Sequence, residues 1–364
     1  MGKKLTAILT AGTLLATMLT GCVQAGKTPQ QNDPKPEDKP GTQQEAKNDA
    51  NGKEPEMVIK VSNGVAEKHP AVVALREKFK TIVEEKTNGR YVVEVYHSNQ
   101  LGDDVKATEA LRAGTLEACV TSTAPLVGFT KELAIFDIPF LFPDEKTADA
   151  VLDGPIGEKM SALMPSKGLI NLAWWENGFR HLTNSKLAVK TPEDLKGMKV
   201  RTMENAFHLA AWKAMGANPT PMSWSEVFTA LQQHAMDGQE NPVPNFYTAR
   251  IHEVNKYITT TGHIYSPFMF LFSKKIFDTI PKEDQDIIIA AAKEAGLYER
   301  QLNREATETY LAEIEKEGGV VTRLAAEDKK PFMELTAGVW DEVADKVGKD
   351  LVEELKAEIA KAQQ

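Results

Sequence analysis

Residues 198–236 read MKVRTMENAFHLAAWKAMGANPTPMSWSEVFTALQQHAM, and this stretch decides the class of fold. Met198–Thr202 has the pattern of a short strand, and Ala206–Met215 places apolar residues at helical spacing. Ser223-Trp224-Ser225-Glu226 is a capping-box pattern opening a second helix that runs to about Met236. A strand that passes directly into a helix is the building unit of a sheet covered by helices.

The same alternation continues outward in both directions. Upstream, Met57–Ser62 reads as a strand, Ala71–Thr87 as an amphipathic helix ending near Asn88-Gly89, and Tyr91–His97 as a half-buried strand. Asp103 or Asp104 caps a helix through Ala113, and Leu116–Thr121 is the next strand. A second unit starts with the strand Leu169–Trp175, and Thr191-Pro192-Glu193-Asp194 is a helix start. Downstream, Tyr257–Thr261 and Phe268–Phe272 read as strands. Repeated βαβ units predict a mostly parallel sheet with helices on both faces. From Lys282 to about Glu317 there is no proline and only one glycine, Gly296. A helix of that length spans about 50 Å, more than one small domain, so it is expected to run along two. A short strand, Val320–Arg323, and two terminal helices finish the chain, which shows no internal repeat.

The N-terminus points to a compartment. Lys3 and Lys4 precede an apolar run, Leu5 to Leu19, that is too short to span a bilayer and sits where a signal-peptide core belongs. Leu19-Thr20-Gly21-Cys22 matches a lipobox; the other reading is a plain secretory signal beside a chance cysteine. The expectation is therefore a signal peptide over 1–21, a lipidated Cys22, and an extracytoplasmic protein anchored to the membrane by acyl chains, each methylene contributing about 0.8 kcal/mol. Val23 to Glu56 is polar and rich in Pro, Gln, Asn and charge. Such a segment buries too little to offset its ordering entropy, so 22–56 is expected to be a disordered tether reaching on the order of 30 Å.

Composition removes several classes. Lys+Arg number 43 against Asp+Glu 52, a net charge of -9, with no basic patch, which argues against nucleic acid as a partner. No later segment is apolar enough to cross a membrane. With Cys22 acylated, Cys119 has no partner, so no disulfide is expected. Nucleophile elbow, P-loop, dinucleotide fingerprint and H-E-x-x-H are absent, and the 7 histidines lack metal-ligand spacing. The reading is of a non-enzyme without metal or cofactor.

Two arginines remain. Arg180 follows the strand Leu169–Trp175, and Arg201 ends the strand Met198–Thr202. Ligands of open α/β sheets sit beyond the carboxyl ends of strands, where a guanidinium can grip a carboxylate through two charge-assisted hydrogen bonds. The alternative for each is a surface ion pair. Asp237-Gly238-Gln239-Glu240-Asn241-Pro242 reads as a tight turn presenting its amides, or merely as an ordered turn. Trp224 either covers a ligand face or fills core, while Trp174 and Trp175 are expected at an inter-domain crossing.

The stretch Ala217–Pro242 (ANPTPMSWSEVFTALQQHAMDGQENP), with NGFRHLTN at Asn177–Asn184 and LKGMKVR at Leu195–Arg201, resembles the solute-binding proteins of TRAP transporters, the DctP-type family. VYHSNQLGDD at Val95–Asp104 fits the same pattern more loosely. The resemblance implies a two-domain α/β fold of the periplasmic-binding-protein kind, with a hinge cleft and a long helix spanning both domains. The corresponding division is 57–177 plus 266–305 for one domain and 178–265 plus 306–364 for the other. It implies that Arg201 is the main carboxylate clamp, that Arg180 and Asn241 add contacts, and that Trp224 is an aromatic wall. The ligand it implies is a small organic carboxylate, a sugar acid such as a uronate or a C4-dicarboxylate, passed to small and large membrane permease subunits without ATP hydrolysis by this chain. Asn63, Glu67, His69 and Gln100 follow strands of the first domain and either read the ligand's hydroxyls or a second acid group, or serve only as helix caps and polar surface residues. Sialate-binding members tend to carry an acid where Ser122 stands, which places sugar acids and dicarboxylates ahead of sialic acid. The rival readings are an extracytoplasmic enzyme acting on a carboxylated sugar, and a sensing or structural lipoprotein with no transport role.

Overall fold

A computed structural model describes residues 54–364; the expected signal peptide, Cys22 and nearly all of the tether lie outside them. In chain order the elements begin with β1 (Met57–Asn63), α1 (Pro70–Ala74), a π-helical stretch Leu75–Lys80, α2 (Thr81–Lys86), β2 (Tyr91–Tyr96), α3 (Asp104–Ala113) and β3 (Ala118–Ser122). Next come α4 (Glu145–Leu152), α5 (Pro155–Leu163), β4 (Leu169–Phe179), β5 (His181–Asn184), β6 (Lys199–Thr202), α6 (Ala206–Ala214), β7 (Asn218–Pro221), α7 (Trp224–Gln232), β8 (Gly238–Asn241) and α8 (Val243–Thr248). The remainder is β9 (Tyr257–Thr259), β10 (Tyr265–Ser273), α9 (Lys274–Phe277), α10 (Lys282–Lys316), β11 (Val320–Thr322), α11 (Ala326–Val347) and α12 (Lys349–Ala362).

These strands make two sheets, ordered β2-β1-β3-β10-β4 and β11-β9-β5-β8-β6-β7. Both are mixed, which corrects the expectation of a mostly parallel arrangement. β10 runs antiparallel to β3 and β4, and β5 antiparallel to β8 and β9. The cause is topological. The chain leaves the first sheet along β4 into β5 and returns along β9 into β10, so the outgoing and returning strands oppose one another. Each sheet is covered on both faces. β10 is buried throughout, with Phe268, Phe270 and Phe272 packing into one cluster with Phe79 and Trp175. Met269 and Leu271 point the other way, into a cluster with Phe136, Trp174 and the helical residues Val343 and Leu355. The second sheet is sandwiched between a cluster around Trp212 and Phe332 and one around Val227, Phe246 and Leu311.

Helix α10 is 35 residues long, about 52 Å at 1.5 Å per residue. It packs on α1 and β4 at one end and on α8 and β11 at the other, as expected of a helix serving both sheets. Trp175 Nε1 donates to Ala292 O at 2.9 Å, and the ring lies so close to Gly296 that a Cβ there would sit 2.7 Å from it. The one glycine of α10 thus marks its crossing with β4.

Other differences from the sequence reading are instructive. Strand β4 continues past Trp175 to Phe179, because Glu176 is buried against Tyr265 Oη at 3.0 Å and Arg304 Nη2 at 2.6 Å. The Asp237–Pro242 segment is not a turn: Gly238–Asn241 forms β8 inside the second sheet, every residue buried. Gly238 is required there, since a Cβ would lie 2.5 Å from Thr183 O. β7 contains two prolines and is tolerated as an edge strand beside β6. Ser223 makes no capping bond; its Oγ meets Ser225 Oγ at 3.1 Å instead. Among the described residues no helix is long and apolar enough to cross a membrane, and Cys119 is a free, buried thiol on β3.

Candidate functional site

Strand ends from the two sheets face one cavity. The first sheet supplies Asn63, the last residue of β1, Ser122, the last of β3, and Asn177 near the end of β4. The second supplies Arg201 on β6 and Asn241, the last residue of β8. Asp104 and Trp224 enter from the first positions of α3 and α7. Carboxyl ends of strands and starts of helices thus converge where anions are favoured. The space is small, about 40 Å³, against roughly 10–15 Å³ for one water, so the walls must part to admit an organic acid.

Arg201 is the centre of the site. Its side chain is buried, and Nε and Nη2 both donate to Met222 O, at 2.8 and 2.5 Å. The plane of the guanidinium is fixed by this one carbonyl, while Nη1 is buried without a partner. Trp224 lies over the group at 5.7 Å. Burial pushes the Arg201 pKa down, to about 10, and the nearby Arg180 charge acts the same way against Glu240. Arg201 is thus a desolvated cation with one nitrogen free of any hydrogen-bond partner.

Glu240 is not that partner, because Arg180 engages it. Arg180 Nε donates to Glu240 Oε2 at 2.5 Å and Nη2 to Oε1 at 2.8 Å and to the Glu240 carbonyl at 2.7 Å, with both side chains fully buried. His263 Nε2 lies 3.1 Å from the same carboxylate. Burial opposes the negative charge of Glu240, yet Arg180 and the two imidazoles outweigh it and hold the carboxyl well below its ordinary range. Burial likewise opposes charge on His208, but Asp137, 3.0 Å from its Nε2, and Glu240 raise its pKa.

Hydrogen bonds tie the two sheets together beside the cavity. His69 Nδ1 accepts from Ala71 N at 3.1 Å, capping α1, which leaves Nε2 to donate to Asn245 Oδ1 at 2.9 Å. Burial holds His69 down, to about 4, so it stays neutral. Asn245 Nδ2 donates to Asn241 Oδ1 at 3.3 Å, and Asn241 Nδ2 to Gln239 Oε1 at 3.2 Å, a relay of amides leading from the first sheet into β8.

The structure brings together Arg201, Asn241, Trp224, Asn63 and Ser122 from among the expected residues. Four others lie off the cavity lining. Arg180 stands behind Arg201 with only Nη1 unpartnered, and His69 is a cap and a bridge. Glu67 is exposed and paired with Arg76 at 2.9 Å, and Gln100 is exposed. Sequence reasoning passed over Asp104, Asn177, Glu204 and Asn245, all on the lining. A signal for Asp104 existed: of the adjacent acids only Asp103 caps α3, accepting from Lys106 N at 2.9 Å, which frees the other. Among the described residues no acid, histidine or cysteine cluster could hold a metal. A larger hollow of about 410 Å³ between Trp174, Leu297 and Arg300 contains none of the expected residues.

The sequence and the overall fold match known proteins. Residues 61–346 match the model of the family described as bacterial extracellular solute-binding protein, family 7. A solute-binding protein of Verminephrobacter eiseniae is 43% identical over 281 residues, 77% of this chain and 83% of that one. The 2,3-diketo-L-gulonate-binding periplasmic protein YiaO of Escherichia coli is 35% identical over 276 residues, 76% of this chain and 82% of its own. The sugar acid binding protein DctPAm of Advenella mimigardefordensis, solved with galactonate, superposes with a TM-score of 0.82 at 36% identity, covering 84% of this chain and 98% of that one.

Proposed function

The chain belongs to the family-7 bacterial extracellular solute-binding proteins, and on that premise we propose that its cleft captures a small organic carboxylate, a sugar acid or a C4-dicarboxylate, for delivery to the small and large membrane subunits of a TRAP transporter. One observation carries the reading: Arg201 is buried, oriented by Met222 O, and has Nη1 free. A carboxylate would complete that guanidinium with a charge-assisted hydrogen bond in a site shielded from water. The amides of Asn241 and Asn245, on the same lining, would hold the same ligand end. The chain binds its ligand and releases it unchanged.

Admission of ligand calls for a hinge. We place it at the β4–β5 and β9–β10 crossings and along α10, with the parts divided as 57–177 plus 266–305 and 178–265 plus 306–364. One amendment follows from packing: Val352 and Leu355 of α12 lie in the cluster of Val151, Ile156 and Met160, so the last helix would move with the first part. Ligand favours closure only by as much as it prefers the closed form. We further propose that Cys22 is acylated and that the polar segment after it tethers the binding unit to the membrane. The test of the central claim is Arg201→Ala. Losing one partner of a buried charge pair costs about 3–5 kcal/mol, so affinity for the carboxylate should fall on the order of a hundredfold or more by calorimetry. A variant that binds within a few-fold of wild type would end the assignment.

A further inference from the structure

The walls of the cleft differ in what they ask of a ligand, and this deepens the function proposed above, on which it rests. Three ionisable side chains line the cavity: Arg201, Asp104 and Glu204. The one cation is thus outnumbered before any ligand arrives. A carboxylate on Arg201 balances the guanidinium and leaves both acids in place. The remaining wall offers acceptors. Asn177 Nδ2 lies against Ser122 Oγ at 3.1 Å and Ser266 Oγ at 3.3 Å, with Oδ1 buried and without a donor. Asp104, half-buried at the start of α3, adds a carboxylate to the same wall.

Acceptors need donors. A hydroxyl supplies one; an ionised carboxylate supplies none and adds repulsion. We propose that Asp104 and Asn177 make this cleft selective for a polyhydroxylated monocarboxylate, its acid end on Arg201 and its hydroxyls donating to the Asp104 carboxylate and Asn177 Oδ1, and that they exclude dicarboxylates. Burial pushes the Asp104 pKa up, to about 6, so it is ionised at neutral pH and disfavours a second negative charge beside it. A site built to receive hydroxyl hydrogens rejects a ligand that lacks them, because its own polar atoms are left unpaired.

D-galactonate and galactarate separate the two ideas, since they share the carbon chain and the internal hydroxyls and differ only at the far end, a hydroxymethyl in one and a second carboxylate in the other. Succinate and hexanoate complete the panel as acids without hydroxyls. Calorimetry on the purified wild-type protein at pH 7.5 should find galactonate binding at least about a hundredfold more tightly than galactarate or succinate, about 2.8 kcal/mol at 1.4 kcal/mol per tenfold. Asp104→Asn should narrow the galactonate-to-galactarate ratio about tenfold or more, chiefly by admitting galactarate. Succinate or galactarate binding as tightly as galactonate would overturn this inference and leave the carboxylate-binding function standing. An unchanged ratio in Asp104→Asn would overturn the role of that residue even if wild type were selective. Failure of every carboxylate to bind would overturn the proposed function and the inference with it.

Discussion

Two buried arginines in this protein should answer mutation in opposite ways. Arg180 and Glu240 are 0% exposed and joined by two side-chain hydrogen bonds, at 2.5 and 2.8 Å. Glu240→Gln keeps the shape and removes the charge, leaving the Arg180 guanidinium buried beside His263 and near Arg201. Breaking such a pair from one side costs about 3–5 kcal/mol. At roughly 1.5 °C per kcal/mol for a chain of this size, the melting temperature should drop by about 5–8 °C. Carboxylate affinity of the folded variant should hold within a few-fold of wild type, because the clamp itself is intact and the site has gained net positive charge.

Arg201→Ala should show the converse. It removes a desolvated cation whose Nη1 has no partner, so the melting temperature of the ligand-free protein should stay level or rise, while binding is lost. Scanning calorimetry and titration calorimetry on the same preparations separate the two effects. If Glu240→Gln melted with wild type, the buried pair would contribute nothing. If it lost ligand as Arg201→Ala does, the division between a structural and a ligand-facing arginine would be wrong.

Further outcomes are expected elsewhere. Gly296→Ala should destabilise by about 1–3 kcal/mol, since overlap with Trp175 at 2.7 Å exceeds the gain of about 1 kcal/mol in helix propensity; a raised melting temperature would refute the crossing contact. Glu299 is pushed up to about 8, by burial first and then by the Glu176 charge. Its stabilising contribution is therefore complete below the ordinary carboxylate range and lost as pH rises through about 8. Urea unfolding at pH 6 and pH 8.5 should show a weaker protein at the higher pH, with a smaller difference in Glu299→Gln; an equal difference would clear Glu299 of the effect. Growth with labelled palmitate should mark the full-length chain, and Cys22→Ala should abolish the label; retained label would place any lipid elsewhere.

What the sequence disclosed and what it hid follow from how far apart the deciding partners lie. Arg201 was legible because a strand, its end and the next helix are contiguous, and the strand-end rule needs only local order. The reach of α10 was legible from one long interval without proline. Glu240 was not. Three polar residues between a glycine and a proline read locally as a turn, and nothing nearby says that Arg180, 60 positions earlier, will neutralise the acid and let the segment become a buried strand. The same reason ended β4 too soon on paper: Glu176 is compatible with a buried strand only once Arg304, 128 positions later, is beside it. Gly296 was noticed as an exception within its helix, but its cause, the Trp175 ring, belongs to another element. Charges whose partners are distant are therefore misread as surface, and here they fall at the crossing between the sheets and directly behind the clamp. A hinged binding protein requires this of its sequence. The cleft must keep one cation unsatisfied for the ligand, so every other buried charge near it has to be satisfied by the protein, and the chain must travel between the two sheets to bring those partners together.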